Sequence, residues 1–192
     1  MAETPSTMIP LGTLAPDFNL IDTRTGQSVQ LAESKSAVGT VIMFLCNHCP
    51  YVKHIQLKLV EVAQHYQSKG IVFIAINAND VATYPQDGPD KMKIEAEKYH
   101  YSFPYLYDAT QQVAKAYHAA CTPDFFIFDQ QLACVYRGRF DDATPGNTVP
   151  VTGADLSAAL DNLLAGKPPL PADKQQPSLG CNIKWAKTGT SA

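Results

Sequence analysis

Val38-Gly39-Thr40-Val41-Ile42-Met43-Phe44-Leu45 is an almost unbroken apolar and β-branched run, and it leads directly into Cys46-Asn47-His48-Cys49-Pro50. A run of this length and composition suits a strand buried on both faces of a mixed or parallel sheet. From Pro50 onward, Val52, Ile55, Leu59, Val62 and Tyr66 recur every three to four residues until Lys69-Gly70. That spacing is one face of a helix followed by a stop. Ile71–Asn77 is a second apolar strand, so strand, cysteine segment, helix and strand form one β-α-β unit with an expected right-handed crossover. The fold class is therefore α/β.

The remaining segments extend this unit. Asp17–Asp22 and Ser28–Leu31 flank Thr25-Gly26 and read as an N-terminal β-hairpin at a sheet edge. Asp80–Gly88 reads as a loop, and Pro89 opens a helix through Tyr99 whose charges form a solvated face. A short extended segment at Pro104–Tyr107 and a helix near Thr110–His118 precede strands at Asp124–Phe128 and Leu132–Gly138, a hairpin that closes the sheet. Thr152-Gly153-Ala154-Asp155 reads as a capping box, followed by Leu156, Leu160, Leu163 and Leu164 on one helix face. Residues 1–15 read as a loose leader, and 166–192, rich in proline, as an extended C-terminal arm. A chain of 192 residues can bury one sizeable core, which gives a single domain over 1–192 with its core at about 8–165.

The formal charge is −3, and the 15 basic residues are scattered, so there is no footprint for nucleic acid or an anionic membrane surface. The first residues lack a basic region followed by an apolar stretch, and nowhere do 18 apolar residues run together. The expectation is a soluble, cytoplasmic protein. Its five cysteines are odd in number and too sparse for a disulfide framework, which fits functional thiols in a reducing compartment.

A thiol reacts as its thiolate, and a helix start favours that form because its free amides and macrodipole stabilise negative charge. Pro50 suits the first helical position, which makes Cys49 the N-cap and the expected nucleophile. Cys46, three residues earlier, gives a literal C-x-x-C and is the nearest candidate disulfide partner. His48 and Lys53 are positioned to favour the thiolate. Cys46, His48, Cys49 and His54 are also metal-ligand types, yet four ligands within nine residues across a strand-loop-helix junction fit a tetrahedron poorly. The expectation is no metal, with His54 and His65 on the helix surface.

Gly12-Thr13-Leu14-Ala15-Pro16-Asp17-Phe18, the Phe44-to-Pro50 cysteine segment, Thr122-Pro123-Asp124-Phe125-Phe126 and Tyr136-Arg137-Gly138-Arg139 together resemble the peroxiredoxin-like AhpC/TSA (redoxin) branch of the thioredoxin superfamily, over roughly residues 8–165. The resemblance implies a thioredoxin-like fold, a central mixed β-sheet flanked by helices. It also implies a cis-proline loop at Thr122-Pro123 that presents backbone groups to substrate opposite the nucleophile. Thioredoxins cap the helix with the first cysteine of their motif, whereas here Val52 stands where the resolving cysteine would follow Cys49, so Cys121 and Cys181 become alternative resolving partners. Cys134 reads as strand packing. The peroxiredoxin threonine, proline and arginine positions correspond to Cys46, Ile42 and Pro123, which speaks against efficient peroxide reduction. Arg137 and Arg139 read as surface cations beside Asp141-Asp142. The strand before Cys49 offers Met43 and Phe44 instead of a buried acid, leaving proton transfer to His48 or water.

The expected function is thiol-disulfide exchange, with Cys49 attacking a disulfide and Cys46, Cys121 or Cys181 resolving, without an organic cofactor. The partners are a protein or small-molecule disulfide or peroxide and a thiol electron donor, and nothing in the sequence sets an oligomeric state. Two alternatives are a weak thiol peroxidase passing through a sulfenic acid at Cys49, and a metal-binding or redox-sensing thiol protein using Cys46, His48 and Cys49.

Overall fold

The computed structural model describes residues 3–187. Every residue of the strand Gly39–Phe44 (β4) is buried. It pairs in parallel with Ile71–Asn77 (β5) and antiparallel with Asp124–Phe128 (β8), so its backbone is satisfied on both edges. Alternation assigns its side chains to two cores. Val41 and Met43 join Val52, Ile55 and Leu59 of the helix Pro50–Gln67 (α2) and Leu156 and Leu160 of the helix Ala154–Leu164 (α5). Ile42 and Phe44 face the other side, with Ile74, Ile76, Tyr117 and Phe126. Burial on both faces is why no polar residue other than Thr40 interrupts the run.

The hairpin Asn19–Asp22 (β2) with Ser28–Gln30 (β3) forms one margin of the large sheet, and Leu31 begins a single helical turn, Leu31–Ser34 (α1), where a strand end was expected. Pro89–Lys98 (α3), Tyr105–Tyr107 (β6), Gln112–Ala116 (α4) and Cys134–Gly138 (β9) follow the expected order. The sheet runs β3-β2-β6-β5-β4-β8-β9, with parallel pairs at its centre and antiparallel pairs on both flanks. The mixed, helix-flanked sheet expected from the sequence is the architecture observed.

Both chain ends correct the sequence reading. Glu3–Pro5 (β1) is a strand and not a loose leader, and it pairs antiparallel with Leu179–Asn182 (β10) in the supposed arm. β10 in turn pairs antiparallel with Cys121–Thr122 (β7), giving a second, three-stranded sheet in the order β1-β10-β7. The Ser6 and Ser178 backbones are linked by a 2.9 Å hydrogen bond. Buried Arg137 donates to Ile9 O at 2.6 Å and to Gln175 Oε1 at 2.8 Å, tying the two terminal segments to β9. These ends are held by hydrogen bonds more than by an apolar face, so they leave no periodic hydrophobic signature.

The capping box at the start of α5 does not form. Gly153 is the N-cap, in the left-handed conformation at φ 70, and no side chain caps the helix. Asp141 instead accepts the Thr152 and Gly153 amides at 2.7 Å each, while the Asp155 carboxylate accepts from Arg139. Among the described residues no helix is long and apolar enough to cross a membrane.

Gly180 lets β10 lie directly against β7: a Cβ there would overlap the carbonyl oxygen of Thr122. Gly180→Ala is expected to destabilise the protein by about 1–3 kcal/mol, the usual range for overpacking, and to speed alkylation of Cys181. An unchanged urea midpoint would show that β10 is not seated in this way.

Candidate active site

β4 delivers the chain to the centre of one sheet end, where Leu45 N bonds Ile76 O and the chain then turns through Cys46-Asn47-His48. Cys49 is the N-cap of α2, in an extended conformation at φ −73 and ψ 123, and Pro50 opens the helix. Its thiol is fully buried.

Three groups surround the Cys49 sulfur. Cys181 Sγ lies 2.7 Å away, and the carbonyl oxygen of Thr122 is 3.2 Å away. Cys46 is the third: its Sγ is 3.2 Å from Thr122 Oγ1, and its thiol is the largest influence on the charge of Cys49. The peptide bond between Thr122 and Pro123 is cis, as the family resemblance implies. Cys49 is pulled down to about 5, first by the hydrogen bond from Cys46, against burial, and then by Cys181 and the amides of Val52 and Cys181. The neighbours move the other way. Cys46 is pushed well up by donating to Cys49, by burial and by the charge of Asp87. Cys181 is pushed up to about 12 by burial and then by Cys49. Negative charge therefore collects on the sulfur at the helix start, with protonated thiols beside it.

His48 takes a different role from the one its sequence position suggests. Its Nδ1 meets Asp87 Oδ2 at 2.5 Å and its ring stacks on Tyr84, with centroids 5.3 Å apart. Asp87 also accepts the Asn47 amide at 2.7 Å and the Asn79 side-chain amide at 2.9 Å, so one carboxylate sets the conformation of the whole 46–49 turn. Asn47 Oδ1 is held in addition by the Tyr105 hydroxyl at 2.9 Å. Lys53 points to Glu95, 3.9 Å away, and not to a cysteine.

Cys46, His48 and Asp87 bring one donor atom each within 4.8 Å of one another, the one such cluster among the described residues. This set differs from the expected Cys46, His48 and Cys49, and both oxygens of Asp87 already accept hydrogen bonds from the turn. The cluster thus has the form of a hydrogen-bonded network, and three donors fall short of the four of a closed structural zinc site.

Of the other cysteines, Cys121 faces the carbonyl oxygens of Pro123 and Ser178 at 3.7 and 4.0 Å, and Cys134 packs into the core face opposite α2. Neither is brought into hydrogen-bonding contact with Cys49. Cys181, expected on an extended arm, is instead a buried member of β10. Arg139 pairs with Asp142 and Asp155, and Arg137 is buried rather than a surface cation. A buried acid does exist, though on the neighbouring strand. Asp124, paired in register with Phe44, has both oxygens buried without a partner, and burial pushes its carboxyl well above the usual range. Sequence reasoning missed Asp87 and Asp124 alike. Asp87 meets His48 from 39 positions away, in a segment read only as a loop, and no local spacing signals that contact.

Residues 11–137 match the AhpC/TSA family. The chain belongs to this family. The match ends at Arg137, so the AhpC/TSA segment contains Cys46, Cys49 and the cis-proline but not β10 with Cys181. An uncharacterised conserved protein from Geobacillus kaustophilus is similar over nearly its whole length, at 56% identity and a TM-score of 0.95, covering 98% of this chain and 99% of that one. Among curated proteins, the thiol-disulfide oxidoreductase ResA of Geobacillus kaustophilus is 26% identical over 129 residues, 66% of this chain and 68% of ResA. A secreted Mycobacterium tuberculosis disulfide oxidoreductase has a TM-score of 0.55 at 17% identity, covering 78% of this chain and 95% of that one, a likeness of fold alone.

The charge distribution among the three sulfurs sets a pH profile. Alkylation of Cys49 by a small reagent is expected to reach half its plateau near pH 5 and to stay flat above neutrality, while Cys46 and Cys181 react appreciably only in alkali. Rate measurements by mass spectrometry check this, and a Cys49 midpoint in the ordinary thiol range would refute it.

Proposed function

We propose that this protein is a thiol-disulfide oxidoreductase in which Cys49 is the nucleophile and Cys181 its first resolving thiol. The observation that carries the reading is the placement of Cys181 Sγ 2.7 Å from a helix-capping sulfur whose thiolate is strongly favoured. The naming of the curated relatives as thiol-disulfide oxidoreductases supports it.

In the first step the Cys49 thiolate attacks one sulfur of a substrate disulfide, forming a mixed disulfide and releasing the other substrate sulfur as thiolate. Cys181 then loses its proton and attacks Cys49 Sγ, forming the Cys49–Cys181 disulfide and releasing the second substrate thiolate. The substrate gains two electrons, and a thiol donor later returns two electrons to the protein. A cavity of about 230 Å³ lies beside the site, its wall including Tyr51, Pro123, Ser178 and Leu179, the last two immediately preceding Gly180-Cys181. The cis-proline segment contributes the Thr122 carbonyl against Cys49.

Peroxide reduction is the weaker reading. The guanidinium of Arg137 is spent on backbone and side-chain acceptors of the terminal segments, and that of Arg139 on two carboxylates, so neither is aimed at Cys49. We infer a reducing compartment, the cytoplasm, a choice supported by a cysteine count that is odd and too sparse for a disulfide framework.

Reduction of a small disulfide by thiol-driven turnover tests the assignment. Cys49→Ser is expected to abolish turnover, and Cys181→Ser to slow it, with a Cys49 mixed disulfide accumulating detectably by mass. Cys134→Ser is expected to retain wild-type rates. Turnover surviving in Cys49→Ser would overturn the nucleophile, and undiminished turnover in Cys181→Ser would overturn the partner.

A further inference from the structure

Cys46 is the member of the sulfur cluster that this turnover leaves unused, and it is also the one beside an oriented imidazole. His48 Nδ1 is engaged by Asp87 at 2.5 Å, while Nε2 is buried and has no hydrogen-bond partner. With Asp87 accepting Nδ1–H, the neutral ring carries its free lone pair on Nε2, the arrangement of a general base. One ring nitrogen of His48 lies with Cys46 Sγ and an Asp87 oxygen within 4.8 Å of one another, so the imidazole and the Cys46 thiol are neighbours that one water or a small side-chain rotation can join. Asp87 is fully buried and anchored on both oxygens, so it holds the ring without competing for the thiol proton.

We propose that Cys46 is a second resolving thiol, with His48 as its base and Asp87 as the residue that positions His48, so that the Cys49–Cys181 disulfide is converted into Cys46–Cys49. This rests on the reading of Cys49 and Cys181 given above. The step is an internal exchange. The Cys46 proton passes to His48 Nε2, and Cys46 sulfur attacks Cys49 Sγ. The Cys46–Cys49 bond forms as the Cys49–Cys181 bond breaks, and Cys181 leaves as a thiolate that takes up a proton. No electrons enter or leave. The oxidised pair now lies in the 46–49 turn, whose Asn47 and His48 face an open groove with Lys53, Gln86 and Lys91, the side from which a thiol donor then meets it.

The charged and titratable groups facing His48 are Asp87 and Tyr84 from the 80–88 segment, Lys53 from α2, Lys91 and Glu95 from α3, and Cys46 from its own turn. Lys184 lies beyond, its Nζ 5.6 Å from the Tyr84 ring.

The test treats reduced full-length protein with one equivalent of hydroxyethyl disulfide, quenches with acid at intervals and maps the disulfides by mass spectrometry. In the wild type, Cys49–Cys181 is expected first, with Cys46–Cys49 growing at its expense. His48→Gln and Asp87→Asn are expected to form the first disulfide at the wild-type rate and the second about tenfold or more slowly at neutral pH, the low end of what a positioned base contributes. That deficit is expected to close in alkali, where Cys46 ionises without help. Persistence of Cys49–Cys181 alone in the wild type overturns the relay and leaves the first reading intact, whereas failure of Cys49–Cys181 to form at all overturns both. An unchanged second step in either variant, or equal slowing of both steps, overturns the role of His48 and Asp87.

Discussion

The burial of β4 on both faces is the constraint from which the site follows. Its six residues are fixed by hydrogen bonds along both edges and by two separate cores, so the position where the chain leaves the sheet is rigid. The cysteine turn begins two residues beyond, and α2, packed on β4 through Val52, Ile55 and Leu59, begins at its end. A sulfur at this junction is both inside the protein and at a helix start. Burial alone drives a thiol toward the neutral form, as it does for Cys121 and Cys134. Only the thiol donors and amides converging on Cys49 reverse that sign.

The balance among the sulfurs depends on the asymmetry of their surroundings. Three thiols in equivalent positions would share one negative charge without preference. Cys49 has the helix amides, whereas Cys46 lies beside the Asp87 carboxylate, which penalises a second anion there. Thr122 touches both, with its carbonyl toward Cys49 and its hydroxyl toward Cys46. One residue of the cis-proline segment thus fixes the spacing between two sulfurs that are three positions apart in the chain.

What was legible in the sequence was whatever a local pattern encodes. The β-α-β unit, the capping position of Cys49 and the hairpins all follow from apolar period, proline placement and glycine turns, and each is present. The capping box was misread because its motif fits the local sequence, while the stronger acceptor, Asp141, lies in a preceding loop. Asp87, Asp124 and the seating of Cys181 were illegible for a shared reason. Each matters through its placement against residues far apart in the chain, and for Asp87 and Cys181 the segments involved also lack an apolar period.

The C-terminal strand shows how such a contact becomes specific without an apolar face. β10 has only a two-residue pairing with β7, too little to define a register by itself. Gly180 allows the backbones to touch at Thr122, and a side chain one residue out of register would collide with that carbonyl. Lys184 N bonds Asn79 Oδ1 at 2.8 Å, and Gln111 Nε2 bonds Lys184 O at 2.8 Å, closing the far end. Asn79 is also a donor to Asp87. The strand that presents Cys181 and the carboxylate that orders the Cys46–Cys49 turn are therefore joined through a single side-chain amide, so the placement of the remote thiol and the shape of the turn are set by one network.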